Sequence, residues 1–288
     1  MVVRFLLSTL LAIGPGMALA QAAAGRQDEI VIRGRSLPDR KAAQTYVANI
    51  SVRSDGQLAR FHQPVCPSVI GLPRDYTAIV ESRIREDAVA VKAPVAKNAK
   101  CSANLIVIVA SDGAALVRDM RVNRPGWLTG LSSADVDALA APGPARAWSI
   151  TSLRNEDGEG VGAPRGATTR DPLGAAPAFR VRSASIVRQP NRQDVEGSFV
   201  VIDQAATVGL SLRQIADYAA MRGLAVTRTP APGGATETIL SLLDGTATHP
   251  RGLTATDTAY LRALYASDGL DGAVSERNAI ARRIAKGK

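Results

Sequence analysis

Long apolar runs are missing from this 288-residue chain, and so are most of the residues around which catalytic centres are built. No segment holds the roughly 18 consecutive apolar residues that a bilayer-crossing helix needs, so no transmembrane helix is predicted. Histidine occurs only at His62 and His249, which excludes a single-chain metal site of three imidazoles. The cysteines are two, Cys66 and Cys101, and they form no C-x-x-C redox motif. There is no G-x-S-x-G, so the nucleophile elbow of a serine hydrolase is absent. Aromatic residues make up 4% of the chain. The basic residues are scattered, with few aromatics among them and no recognised binding motif, which argues against nucleic acid as a partner.

What is present points first to export. Arg4, the apolar run Phe5 to Ile13 and the small-x-small triplet Ala18-Leu19-Ala20 form a secretory signal over residues 1–20. No cysteine stands beside the cleavage site, so a lipoprotein anchor is not expected. In an oxidising compartment, periplasmic or secreted, Cys66 and Cys101 are expected to pair. A net charge of +9 is compatible with peripheral contact with anionic surfaces.

Residues 21–35 read as a tail or an edge strand. Asp28 to Gly34 (DEIVIRG) is β-prone and resembles a segment near the start of many TonB-dependent receptors, but no barrel-sized set of alternating strands follows. An α+β domain is expected over residues 36–270. A helix is predicted over 37–48 and a strand over 49–53. Residues 64–71 read as a turn-rich connection, and residues 73–92 as a strong helix with Tyr76, Ile79, Val80, Ile84, Ala88 and Val91 on one face. Leu105 to Ala110 (LIVIVA) has the continuous aliphatic character of a strand covered on both faces. Asp112 or Ser111 caps the next helix, and Ser132 or Ser133 a short one. Further strands are expected over 145–153, 183–188 and 198–203. Residues 155–178 read as a flexible insertion, poor in large apolar residues. Gly158, Gly160 and Ala163 match a dinucleotide pattern there, but without the strand–turn–helix context it needs. Residues 271–288 are expected to form a solvated, basic C-terminal helix with a thin apolar face.

Ser211 to Gly223 carries a full set of helix signals: a capping box of Ser211 and Gln214, and Gly223 placed for a left-handed C-terminal cap. In this segment the chain resembles the metzincin branch of zinc metallopeptidases, whose helix carries H-E-x-x-H followed by x-x-G-x-x-H. Ala216, Ala220 and Val226 occupy the three histidine positions, Asp217 the glutamate position, and Gly223 the glycine. Leu240, in Thr238 to Ser241, stands where that family places its methionine turn. Leu253 to Tyr265, with Thr254 and Asp257 as a cap pair, resembles its closing helix. The resemblance implies a single zincin-like domain with a mixed sheet packed by helices. It also implies a core without zinc ligands, since Ala and Val offer no donor. The chain resembles exported alphaproteobacterial proteins as well.

The expected function is therefore a non-catalytic, zincin-like protein binding an envelope protein or peptide, with no metal and no cofactor. Asp217, Tyr218 and Arg222 are the candidate cleft residues. Asp217 also has a plainer reading, a solvated residue paired with Arg213 one turn earlier. The alternatives are a hydrolase around His62 and Asp217, and a structural envelope protein held on anionic polymers. His62 and His249 otherwise read as structural or surface residues.

Overall fold

The computed structural model describes residues 37–98, 100–160, 188–231, 236–245 and 249–287. All belong to one unit, Arg35–Lys288. The expected signal, the N-terminal tail or strand, most of the strand expected over 183–188 and most of the 155–178 insertion lie outside them.

Four strands form one mixed sheet in the order β1 (Pro67–Ile70), β2 (Leu105–Ala110), β4 (Asn191–Asp203), β3 (Ala145–Asn155). β1, β2 and β4 run parallel, and β3 is antiparallel to β4. Parallel neighbours need a long crossover, which helix α2 (Arg74–Ala90) supplies between β1 and β2. The order and the helices make this a mixed α+β architecture.

LIVIVA lies at the centre because both of its faces are covered. Leu105 and Val107 enter a large core with α2, α5 (Leu212–Gly223), α6 (Ala255–Tyr265), α7 (Ala273–Ala285) and α1 (Arg40–Ile50). Ile106, Ile108 and Ala110 face a smaller core closed by α3 (Gly113–Asn123) and α4 (Ser133–Leu139). In that second core Trp148 stacks on Phe199 with ring centroids 5.0 Å apart, and Trp127 closes over Phe199 at 5.3 Å. Trp148 satisfies its indole N–H on the Trp127 carbonyl at 2.8 Å, as a buried indole requires.

Helix starts follow local chemistry. Asp39 caps α1, Asp112 caps α3, and Ser132, Ser211 and Thr254 each form a reciprocal capping box. Cys66 and Cys101 are bonded, with Cα atoms 6.0 Å apart. The bridge ties the residue before β1 to the approach to β2. Among the described residues no helix is long and apolar enough to cross a membrane.

Four expectations need correction. Residues 67–70 are a strand, because pairing with β2 supplies hydrogen bonds that local turn residues do not reveal. The strand expected over 49–53 reduces to a single bridge from Ser51 to Thr227, since α1 continues through Ile50. On α2, Tyr76 and Ile79 are about half exposed, while Asp87 is buried among the apolar residues. The C-terminal helix is not a solvated appendage: Ile280, Ala281 and Ile284 are fully buried, and Glu276 pairs with the equally buried Arg60. That charge is satisfied further by the Leu264 and Ser267 carbonyls on Arg60, the condition under which a buried ion pair is tolerated.

Candidate functional site

The helix that carries the metallopeptidase-like spacing is built into the core. Ala216 and Ala220 are fully buried, Val226 packs against the same cluster, and Leu240 is buried beside it. These side chains are hydrocarbon, so no metal donor stands at the three positions. Gly223 is the last residue of α5, and its φ is not positive. A Cβ there would sit 2.9 Å from Leu105 Cδ1 and Cγ. The glycine lets α5 approach β2; it is not the left-handed cap the sequence suggests.

Asp217, Tyr218 and Arg222 do not line an open cleft. Tyr218 is 2% exposed within the core. Arg222 donates from Nη1 to the Thr227 carbonyl at 2.6 Å and closes the turn after α5. Asp217 is 0% exposed, so the solvated reading is corrected as well. Its carboxylate accepts from Arg83 Nε at 2.7 Å and from the Leu253 amide at 2.7 Å, with Arg213 Nε at 3.7 Å. A Cβ at residue 252 would lie 2.3 Å from Asp217 Oδ2, so Gly252 is what lets the carboxylate reach that amide.

Arg83 also reaches Asp87 Oδ1 at 2.8 Å and so bridges two buried carboxyl groups. Burial first, and then the charge of Asp217, push Asp87 up to about 8, against the pull of Arg83. The cluster locks α2 onto α5, with both carboxylates buried beneath the partly exposed Arg83.

A second concentration of polar chemistry lies on the β3–β4 ribbon. Ile150 pairs with Gly197 but Thr151 pairs with Val195, so Glu196 is an extra, bulged residue. Bulges re-aim side chains and recur beside functional sites. Here Glu196 accepts from the Ser152 hydroxyl, from Arg154 and from Gln63 Nε2 at 2.8 Å. Asp194, two residues earlier, accepts from Arg192 Nε at 2.9 Å. His62 Nδ1 lies 2.8 Å from Asp194 Oδ1, but off the line of a well-formed hydrogen bond. The imidazole is 23% exposed.

Burial raises Asp194, and His62 with Arg192 outweighs it, leaving the carboxyl below its usual range. Glu196 is lowered likewise, since Ser152 and Arg154 outweigh burial. Both carboxylates stay ionised at neutral pH. The pair His62 and Asp194 can orient an imidazole toward a proton transfer. It does so without Asp217, which α5 carries and Arg83 of α2 holds. His249 is exposed. Among the described residues no group of three or more His, Cys, Asp or Glu side chains is placed to hold a metal.

No family model, curated protein or solved structure matches the chain.

The strand spacing Arg192, Asp194, Glu196 is the only local trace of this ribbon site. His62 and Gln63 come from more than a hundred residues away, and nothing near them in sequence announces the pairing.

Proposed function

We propose that the protein is a non-catalytic, zincin-like binding protein of the cell envelope that takes another envelope protein or peptide. The observation that carries this reading is an apolar surface rather than a cleft. Tyr76 and Ile79 stand one turn apart on α2, 49% and 51% exposed, and Ile70 is 48% exposed at the end of the neighbouring edge strand β1. Large apolar side chains gathered at a surface mark interaction sites, and tyrosine is enriched in them. The donor-free positions Ala216, Ala220 and Val226 support the non-catalytic part. The Cys66–Cys101 bridge suits an oxidising compartment.

The test is cross-linking in the exported, full-length protein from a photoreactive residue at position 76, with position 208 as an exposed control. A discrete cross-linked species from position 76, lost in an Ile79→Glu background that still folds, is expected. Equal cross-linking from both positions, or none from position 76, sinks the assignment.

A second reading, a hydrolase, is favoured by one observation: His62 and Asp194 beside the Glu196 bulge. It moves the expected His62 site from Asp217 to Asp194. Hydrolysis of a model ester that disappears in His62→Ala, with folding unchanged, would put this reading first.

A further inference from the structure

Three arginines converge where α1 ends. Arg228 donates from Nε to the Asn49 carbonyl at 2.7 Å and from Nη2 to the Ala48 carbonyl at 3.1 Å. Arg277, on α7, donates from Nη2 to the Ser51 carbonyl at 2.7 Å. Arg53 follows two residues later, exposed, and makes no hydrogen bond or ion pair among the described residues. The Nη1 groups of Arg228 and Arg277 are uncommitted among the described residues, and Arg277 Nε is buried without a partner.

Capping of α1 explains only part of this arrangement. A helix C-terminus presents about half a negative charge. Two full positive charges, Arg228 and Arg277, donate to its carbonyls, and a third, Arg53, is near enough to act on Arg277. Tyr260, the other group acting on Arg277, is a phenol pushed up to about 12 by burial and is neutral at physiological pH. No carboxylate is among the groups that act on Arg277; burial, and then Arg53 and Arg228, hold its pKa below the usual arginine range. The acids nearest to Arg53 and Arg277 in sequence are engaged elsewhere. Asp55 accepts from Gln193 Nε2 at 3.1 Å, and Glu276 is bonded to Arg60. The cluster therefore holds more positive charge than the fold uses, on a donor type whose planar fork matches phosphate oxygens.

We propose that Arg53, Arg228 and Arg277 form a binding site for a phosphate group, with Arg228 and Arg277 oriented by the carbonyls that end α1 and Arg53 free to close on the ligand. A phosphate supplies the missing negative charge and several acceptor oxygens at once. The group arrives either as a free phosphate or on an anionic lipid headgroup. This site is separate from the apolar surface around Tyr76 and does not depend on it.

The experiment uses the full chain at fixed ionic strength. Inorganic phosphate is titrated by calorimetry, and vesicles of phosphatidylglycerol in phosphatidylcholine are tested by co-sedimentation against phosphatidylcholine alone. Arg53→Glu is the main variant, because its side chain supports nothing else in the fold. Lys97→Glu makes the same charge change at another exposed position. Binding of either probe is expected, weakened about ten-fold or more by Arg53→Glu, as loss of charge-assisted bonds demands, and left unchanged by Lys97→Glu. Binding of phosphate assigns a free anion; binding confined to the charged vesicles assigns a lipid headgroup. The proposal is overturned if neither probe binds, or if both variants weaken binding equally, which is the behaviour of diffuse charge attraction.

Discussion

Asp257→Ala is expected to be among the most damaging single changes in this protein, although Asp257 touches neither candidate surface. Its carboxylate is fully buried and joins three elements. It accepts from Tyr46 of α1 at 2.6 Å, from the Thr238 hydroxyl at 2.6 Å and the Ile239 amide at 2.8 Å, and from Thr254 through its amide at 3.0 Å and its hydroxyl at 2.9 Å. Burial, and then the Asp257 charge, push the Tyr46 phenol well above its usual range, so Tyr46 keeps the proton it donates. When the carboxylate is removed, the Thr254 hydroxyl can turn to the Glu237 carbonyl, 3.2 Å away. The two amides cannot turn. Each stranded, buried N–H costs about 1–3 kcal/mol, and the Tyr46 hydroxyl adds to that, so a loss of about 4 kcal/mol or more is expected. For a domain of this size, that is a fall in Tm of about 8–16 °C. Thr254→Ala, which removes the hydroxyl partner alone, should cost less, nearer the ~1 kcal/mol of a lost cap. Urea titration followed by circular dichroism measures both. A loss below about 1 kcal/mol for Asp257→Ala would refute the reasoning, because the amides must then have found other partners.

Two further predictions concern α2 and α5. Asp87 has a folded pKa raised from 3.8 to about 8, so between those values the folded chain holds a proton that the unfolded chain has lost. Stability must therefore fall as pH rises through that window, and it is fully retained below the lower value. Asp87→Asn, leaving Arg83, Glu86 and Asp217 in place, should flatten the slope; urea midpoints at pH 5 and pH 8.5 that move in parallel for both proteins would contradict this. Gly223→Ala gains about 1 kcal/mol of helix propensity but forces its Cβ against Leu105. The net effect should be a loss of about 1–2 kcal/mol, relieved in a Leu105→Ala background, and a stabilised Gly223→Ala protein would show that α5 and β2 are not in close contact.

The features legible in the sequence are those settled within a few residues. The capping boxes at Ser211 and Thr254 are closed by partners three residues on, and both helices start where those residues stand. LIVIVA reads as a strand because its own composition requires cover on both faces. β1 is hidden for the opposite reason. Pro67 at its first position looks like a turn residue, and its strand character comes from the register with Leu105. The start of β4 is hidden as well, since Asn191 to Gly197 is polar and owes its extension to pairing with β3. The i−4 pairing of Asp217 with Arg213 is readable and present, but the decisive partner, Arg83, is 134 residues away.

The same division explains where candidate function lies. Several charges that sequence spacing leaves unexplained are settled by distant partners: Arg60 by Glu276, Asp217 by Arg83, Glu196 by Gln63 and Arg154. Such pairs contribute little net stability over hydrocarbon of the same shape, but losing one partner strands a buried charge at a cost of several kcal/mol. They therefore penalise any misdocking of α2, α5 and α7 far more than apolar packing does. At the end of α1, Arg53 and Arg277 find no carboxylate among the described residues, and for that reason a ligand is sought there rather than in the closed interior of α5.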